Sequence, residues 1–479
     1  MNISIITYFL GWVLGIEGAL MIIPCIIALI YQETSGLYFA GVGAFCLIAG
    51  WLMAHRRPSN SVFYAKEGFV AVALCWIVLS FFGAMPFFLS SEIPRLEDAL
   101  FETISGFTTT GASILPDVEA LSKCMLMWRS FTHWIGGMGV LVFILAVLPL
   151  AGGYNMHIMR AESPGPSVGK LVPRVKTTAK ILYMIYFCMT IVQIILLLVS
   201  KMPWFDAVAM SLGTAGTGGF GILNSSCGAY TTLQQAIITI FMILFGVNFN
   251  VYYLFLIKKP KDALGCEEAR AYFGIILAAT LLITLNIYKS FPSVLMAFHH
   301  AAFQVGSVIT TTGYSTVDFD LWPEFSKTIL VLLMFCGACA GSTGGGMKVS
   351  RIMIAAKTVK KEISSLIHPR SVKILKYEGK AIEHSVLRSI NTYMVAYFLL
   401  YALSLLLLSL DNFDLTTNFT AVAATFNNIG PGLAKVGPTC NFGSYSVFSK
   451  YVLMFDMLAG RLELFPMLVL FSPKTWMKE

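Results

Sequence analysis

Charge is scarce in this chain: only 12% of its 479 residues are Asp, Glu, Lys or Arg, against about 25% in soluble domains. A water-soluble domain with an ordinary polar surface is therefore excluded. Catalytic groupings are missing too. No acid pair, metal-ligating cluster or nucleophile constellation stands out, so an intramembrane enzyme would lack the groups its chemistry needs. The ten cysteines follow no disulfide framework. Cys227 and Cys440 fall in segments expected outside the membrane and are the one pair open to bridging. Cys336-x-x-Cys339 has redox spacing, but its thiols sit on an apolar helix where small residues serve packing. Two glycine motifs fail for lack of context. Gly216-Thr-Gly218-Gly219-Phe-Gly221 satisfies G-x-G-x-x-G with no preceding strand and no βαβ unit. Gly341-Ser-Thr-Gly-Gly-Gly346-Met-Lys348 resembles a phosphate loop, but Met347 separates glycine from lysine.

What is abundant is apolar length. Hydrophobic residues make up 57% of the chain and mean hydropathy is +0.76. Runs such as Phe69–Leu89, Ile181–Val199, Phe273–Ile287 with its flanks, and Val395–Leu410 approach the roughly 20 residues that cross a hydrocarbon core. Met1 to Tyr31 is too long for a cleaved signal and has no clear small-residue cleavage site, so it reads as a retained helix.

A short glycine turn recurs four times after an apolar segment: Thr109-Thr110-Gly111, Thr217-Gly218-Gly219, Thr311-Thr312-Gly313 and Asn428-Ile429-Gly430. The central glycines lie 108, 94 and 117 residues apart, too far for a solenoid unit of about 20–50 residues. The period suits two membrane crossings with a shorter segment dipping between them. First helices are expected near residues 68–90, 181–200, 271–289 and 388–410, and second helices near 122–150, 230–257, 326–352 and 446–472. With two leading helices, Ile3–Tyr31 and Leu37–His55, that makes ten crossings and four re-entrant segments. The fold expected is an all-α polytopic membrane protein with four pseudo-repeated helix–pore helix–filter–helix hairpins around one pore. The divisions are 1–66 for the N-terminal helices, then 67–160, 161–262, 263–376 and 377–479 for the hairpins.

Loop charge sets the orientation. Arg56, Arg57, Lys66, Arg160, Lys170, Arg174, Lys176, Lys180, Lys258, Lys259, Lys261, Arg270 and the stretch Lys348 to Arg388 fall on one side. The side holding the turns is acidic, with Glu92, Glu97, Asp98, Asp117, Glu119, Asp206, Asp318, Asp320, Asp411 and Asp414. Both termini and the basic loops are thus expected in the cytoplasm. The net charge of +8 reflects this bias and calls for no nucleic-acid partner.

Non-helical backbone at membrane depth must line water or be buried in protein. Glycine opens φ values closed to other residues, so successive carbonyls can face one axis, and threonine adds oxygens without charge. Neutral oxygen rings replace the water shell of a monovalent cation, whereas a divalent site favours carboxylates, and none lies in the turns. Asp98 and Asp206 lie 13 residues before their glycines and Asp414 lies 16 before, placed to cap half-helices or concentrate cations. The half-helices would aim their partially negative C-terminal ends at the turns.

Two further features lie below the turns. Cys336-Gly-Ala-Cys-Ala-Gly-Ser-Thr-Gly-Gly-Gly346, followed by Met347, Lys348 and Arg351, is dense in residues unfavourable to helix. It reads as an intramembrane gating loop or as a close-packing surface. Arg461 interrupts an apolar helix and either pairs with Glu463 or Asp456 or faces the pore. His133, beside Gly136-Gly137-Met-Gly139, sits where another second helix can kink. His299 and His300 suit local hydrogen bonds better than metal.

With the four turns, the phrases Phe101-Glu-Thr-Ile-Ser-Gly-Phe-Thr-Thr-Thr-Gly-Ala-Ser and Thr312-Gly-Tyr-Ser-Thr-Val-Asp-Phe, and Asn427-Asn-Ile-Gly-Pro-Gly, the chain resembles the membrane subunit of the Trk/Ktr/HKT superfamily of potassium transporters. The two extra N-terminal helices suit its bacterial Trk-type branch. The resemblance implies potassium uptake across the cytoplasmic membrane through a gated, selective pore, with sodium- or proton-coupled symport as the alternative. It implies potassium bound at Thr109, Thr110, Gly111, Thr217, Gly218, Gly219, Thr311, Thr312, Gly313, Asn428, Ile429 and Gly430, and no organic cofactor. Gating would fall to Gly341, Ser342, Thr343, Gly344, Gly345, Gly346, Lys348 and Arg461, the arginine repelling cations when shut. A homodimer and a cytosolic nucleotide-binding regulatory subunit follow from the same resemblance. Family members with serine at the first-repeat glycine tend to pass sodium, so Gly111 points to potassium. Gly218, where copies one and three have threonine, and the divergent fourth copy depart from the pattern.

Overall fold

Uninterrupted apolar sequence sets the long helices, and proline, glycine and capping residues set their ends. A computed structural model describes residues 1–56, 58, 64–137, 139, 175–370 and 373–477. The leading segment forms α1 (Ile3–Leu20) and α2 (Ile22–Tyr31), split where Pro24 cannot bond to the turn before it. Helix α3 (Gly36–Ala54) returns against α1, and the paired glycines Gly11–Gly50 and Gly18–Gly43 let the two backbones touch.

Each hairpin then begins with a long helix: α4 (Ala65–Leu89), α7 (Val175–Val199), α12 (Glu267–Ile287) and α16 (His384–Leu408). Together with the two N-terminal segments these are the six described helices long and apolar enough to span a membrane. Their outer faces leave residues such as Leu281, Leu285, Leu399 and Leu406 exposed, as a lipid-facing surface requires. The half-helices α5 (Leu96–Phe107), α8 (Trp204–Gly216), α13 (Val294–Ile309) and α17 (Leu415–Phe426) are instead largely enclosed. Asp414 caps the last of these by accepting from Thr417 N at 2.9 Å.

The second helices differ from the continuous crossings expected near 230–257 and 446–472. The second hairpin has α9 (Thr232–Phe245) and α10 (Phe249–Leu256), bent by 88°. Asn248 starts the new helix by accepting from Asn250 N at 2.9 Å. A short helix, α11 (Pro260–Gly265), follows. The third has α14 (Glu324–Cys336) and α15 (Val349–Ile367) around the glycine-rich loop. The fourth has α18 (Val447–Arg461) and α19 (Phe465–Phe471), with Glu463 and Leu464 at positive φ between them. In the first, α6 (Lys123–Gly137) ends at the same relative place. The rest of its expected span, residues 138 and 140–150, and the basic positions Arg57, Arg160, Lys170 and Arg174 lie outside the described residues. The breaks sit against half-helix ends: a Cβ on Gly136 would overlap Phe107 O, and one on Gly460 would overlap Phe426 O.

Candidate functional site

The four turns have one backbone. Thr109, Thr217, Thr311 and Asn428 take left-handed φ of 56°, 55°, 58° and 56°, and Gly111, Gly219, Gly313 and Gly430 follow at 77°, 78°, 88° and 100°. The residue between them donates its N–H to a carbonyl five residues back in the half-helix: Thr110 to Ser105, Gly218 to Gly213, Thr312 to Ser307 and Ile429 to Ala424, at 2.8–2.9 Å. This is the C-terminal closure of a helix by a left-handed residue. It uses the turn's amides and leaves its carbonyls over. Among the described residues, no hydrogen bond is donated to the carbonyls of 109–110, 217–218, 311–312 or 428–429.

The turns also touch in cyclic order. A Cβ on Gly111 would overlap Gly218 O, one on Gly219 would overlap Thr312 O, and one on Gly313 would overlap Ile429 O; one on Gly430 would lie 2.9 Å from Thr110 O. Each glycine thus faces the carbonyl of the next repeat, and the fourth returns to the first. All twelve turn residues singled out in the sequence converge on this ring, including the divergent fourth copy, whose Asn428 donates to Thr110 Oγ1 at 3.0 Å. On one side the four glycines open into a cavity of about 170 Å³ that also has Pro431 and Arg129 in its wall.

No carboxylate lines that cavity among the described residues, so the acids stand behind it. Asp98 is engaged by Lys450 Nζ at 2.6 Å. Asp117 accepts from Asn224 Nδ2 at 2.8 Å, and that bond holds its carboxyl below the ordinary value, so it stays negative near the mouth.

The loop after α14 lies directly under the ring. Gly345 N donates to Thr311 Oγ1 at 2.6 Å, and Thr343 Oγ1 donates to Phe245 O at 3.2 Å. Lys348 Nζ donates to Gly344 O, and Arg461 donates from Nη1 to Thr343 O at 2.9 Å and from Nη2 to Gly136 O and Gly137 O. The loop also fills the break between α9 and α10, where Phe249 N reaches Gly341 O at 3.0 Å and Cys339 N reaches Gly246 O at 3.1 Å. The gating residues of the sequence reading are therefore together. Of the two acids considered for Arg461, Glu463 pairs with Arg351 at 2.5 Å and Asp456 accepts from Ser404 Oγ at 2.6 Å.

Several supports of the site carry no signal in the sequence. Glu268, buried on α12, ties both ends of the loop by accepting from Ala340 N at 2.7 Å and Ser350 N at 3.1 Å. Glu102 and Arg129 form a buried pair at 2.7 Å behind the first turn. His133 stands behind the second. Its place in a helix beside glycines was visible, but its partners lie in other segments. Cys227 and Cys440 are both free thiols, so no bridge forms. His300 Nδ1 lies 2.9 Å from Thr316 Oγ1 within its own hairpin, whereas His299 Nε2 lies 2.8 Å from Gln235 Oε1 on α9 of the second hairpin, a bond between hairpins rather than the local one expected.

Comparison with known proteins gives one consistent result. A family model described as a cation transport protein, TrkH, matches residues 37–296 and 276–478. The Trk system potassium uptake protein TrkH of Salmonella typhimurium is 36% identical over 485 residues, covering 99% of this chain and 100% of the relative. The Escherichia coli K12 protein TrkG, of the same description, is 32% identical over 485 residues and 99% of each chain. The crystal structure of the potassium transporter TrkH from Vibrio parahaemolyticus superposes with a TM-score of 0.89 at 33% identity, over 100% of both chains.

Proposed function

Because the chain belongs to the TrkH family of cation transport proteins, we propose that it takes up potassium through the ring formed by its four turns. It is a multi-pass membrane protein that serves transport, not an enzyme. The observation that carries the proposal is the cyclic contact of glycine to carbonyl through all four repeats. Such a ring offers uncharged oxygens, tied from behind and free in front, to an ion that has shed its water. The half-helix C-termini add partial negative charge from four directions.

In this reading potassium is the transported ion, held at the twelve turn residues, and no organic cofactor takes part. The hairpins divide at 67–160, 161–262, 263–376 and 377–479. The protein lies in the cytoplasmic (inner) membrane with both termini inside, since the basic loops fall opposite the acid-rich face. The segment 341–346 is the gate, closed beneath the filter and held by Lys348 and Arg461. Purified protein in liposomes, with potassium and sodium flux compared at a set voltage, tests the proposal. Potassium flux should exceed sodium flux; equal flux would refute it.

We also take the protein to act as a homodimer with a cytosolic nucleotide-binding regulator, the docking surface being the basic face after the gate. Lys357 is unsuited to testing this, because its ammonium pairs with Glu267 and bonds Lys376 O. Lys360 is exposed and Lys361 half-buried. Converting both to glutamine should weaken capture of the regulator, most of all at low salt where surface charges are least screened. Unchanged capture across salt concentrations would move the docking surface elsewhere.

A further inference from the structure

The second turn is braced differently from the first and third. In those, two threonine hydroxyls meet behind the backbone: Thr108 with Thr110 at 2.8 Å and Thr310 with Thr312 at 2.7 Å. The second turn has Gly218 where they have threonine. The room is taken by His133 of α6, whose ring atoms Cγ, Nδ1 and Cδ2 a Cβ on Gly218 would overlap. His133 is fully buried. Its Nε2 accepts from Phe220 N at 3.2 Å, and its Nδ1 lies 2.8 Å from Gly106 O in the first half-helix. The first contact requires an acceptor at Nε2, so the Nδ1 proton is left to donate to Gly106, and one tautomer satisfies both ends.

Arg129, one turn earlier on the same helix, extends the brace. It donates to Gly221 O at 3.1 Å, lies 4.0 Å from the Phe220 ring centre, and is neutralised by Glu102 of the first half-helix at 2.7 Å. The backbone on both sides of Phe220 is thereby fastened to the first hairpin.

We propose that His133 is a specificity-determining positioning residue: it sets how far the Gly218 carbonyl stands from the pore axis, the task done by threonine hydroxyls in turns one and three. The inference rests on reading the ring as a potassium filter. A ring discriminates against the smaller sodium ion only while its carbonyls keep their number and spacing. A Gly-Gly turn without its brace has the backbone freedom to close on sodium.

Uptake of potassium and of sodium into liposomes, measured side by side with insertion checked by size exclusion, tests this. His133→Phe keeps a planar ring and removes both hydrogen bonds; the potassium-to-sodium ratio should fall about tenfold, as loss of one or two buried bonds implies. His133→Gln keeps an acceptor toward Phe220 and should retain most of the ratio, which a role in bulk packing alone would not produce. Gly218→Ala should lower the ratio on the parent background and add no further loss to His133→Ala, where the ring it strikes is gone. An unchanged ratio in His133→Phe, or equal effects of Gly218→Ala on both backgrounds, would overturn the inference. If His133→Phe fails to insert, the Gly218→Ala comparison decides. A parent with no preference for potassium would instead refute the filter reading, and this inference with it.

Discussion

Gly219→Ala, Gly313→Ala and Gly111→Ser should each abolish most of the discrimination between potassium and sodium, by tenfold or more, while Gly430→Ala should be the mildest of the four. Two costs combine. An L-residue at these φ values of 77–88° costs about 1–2 kcal/mol, and each factor of ten in discrimination corresponds to about 1.4 kcal/mol. The larger cost is steric. At Gly111, Gly219 and Gly313 the new Cβ would occupy the position of the neighbouring repeat's carbonyl oxygen, which is the group proposed to hold the ion. At Gly430 the corresponding approach to Thr110 O is longer, 2.9 Å, so the neighbouring carbonyl has less far to move. Ion-flux ratios for the four variants check the ranking. Selectivity equal to the parent's at Gly219 and Gly313 would contradict the ring.

Deleting Ser342–Gly345, or replacing Arg461 by alanine, should raise potassium flux at least about tenfold with little change in selectivity. In the proposed reading a cation leaving the ring would meet Lys348 and Arg461, both bonded to carbonyls of the loop proposed as the gate. A like charge at about 4 Å costs roughly 4 kcal/mol at an effective dielectric near 20. The structure also shows Arg461 anchoring the loop to the end of α6 through Gly136 and Gly137. Arg461→Ala should therefore act twice, by removing charge and by freeing the loop. Flux no higher than the parent's in both variants, with insertion intact, would place the gate elsewhere.

Much of this was legible because its signal is local. The first helices follow from apolar runs, and Ala65–Leu89 and His384–Leu408 lie close to the expected 68–90 and 388–410. The turns were marked by repeated glycine after apolar segments. Gly218 stands out in the sequence as a departure, but the ring that fills its space belongs to a histidine 85 residues earlier, which no local pattern connects to it. The breaks in the second helices are legible at the dense glycines of the third hairpin and at Gly136-Gly137-Met-Gly139 of the first. In the second, Gly246-Val-Asn248 interrupts a run that stays apolar on both sides, and only the asparagine cap betrays the bend. In the fourth, the chain turns at Glu463 and Leu464 through positive φ, and Pro466 opens the helix that follows. Glu102, Arg129 and Glu268 carry no local signal, because a buried charge in an apolar helix has its partner in another segment.

The most direct test of the central claim is a crystal structure of the protein grown in rubidium, with the ion located by its anomalous scattering. The cyclic ring predicts a peak on the axis enclosed by the carbonyls of Thr110, Gly218, Thr312 and Ile429, weakened or lost in Gly219→Ala. Full rubidium occupancy elsewhere, with no peak on that axis, would contradict it.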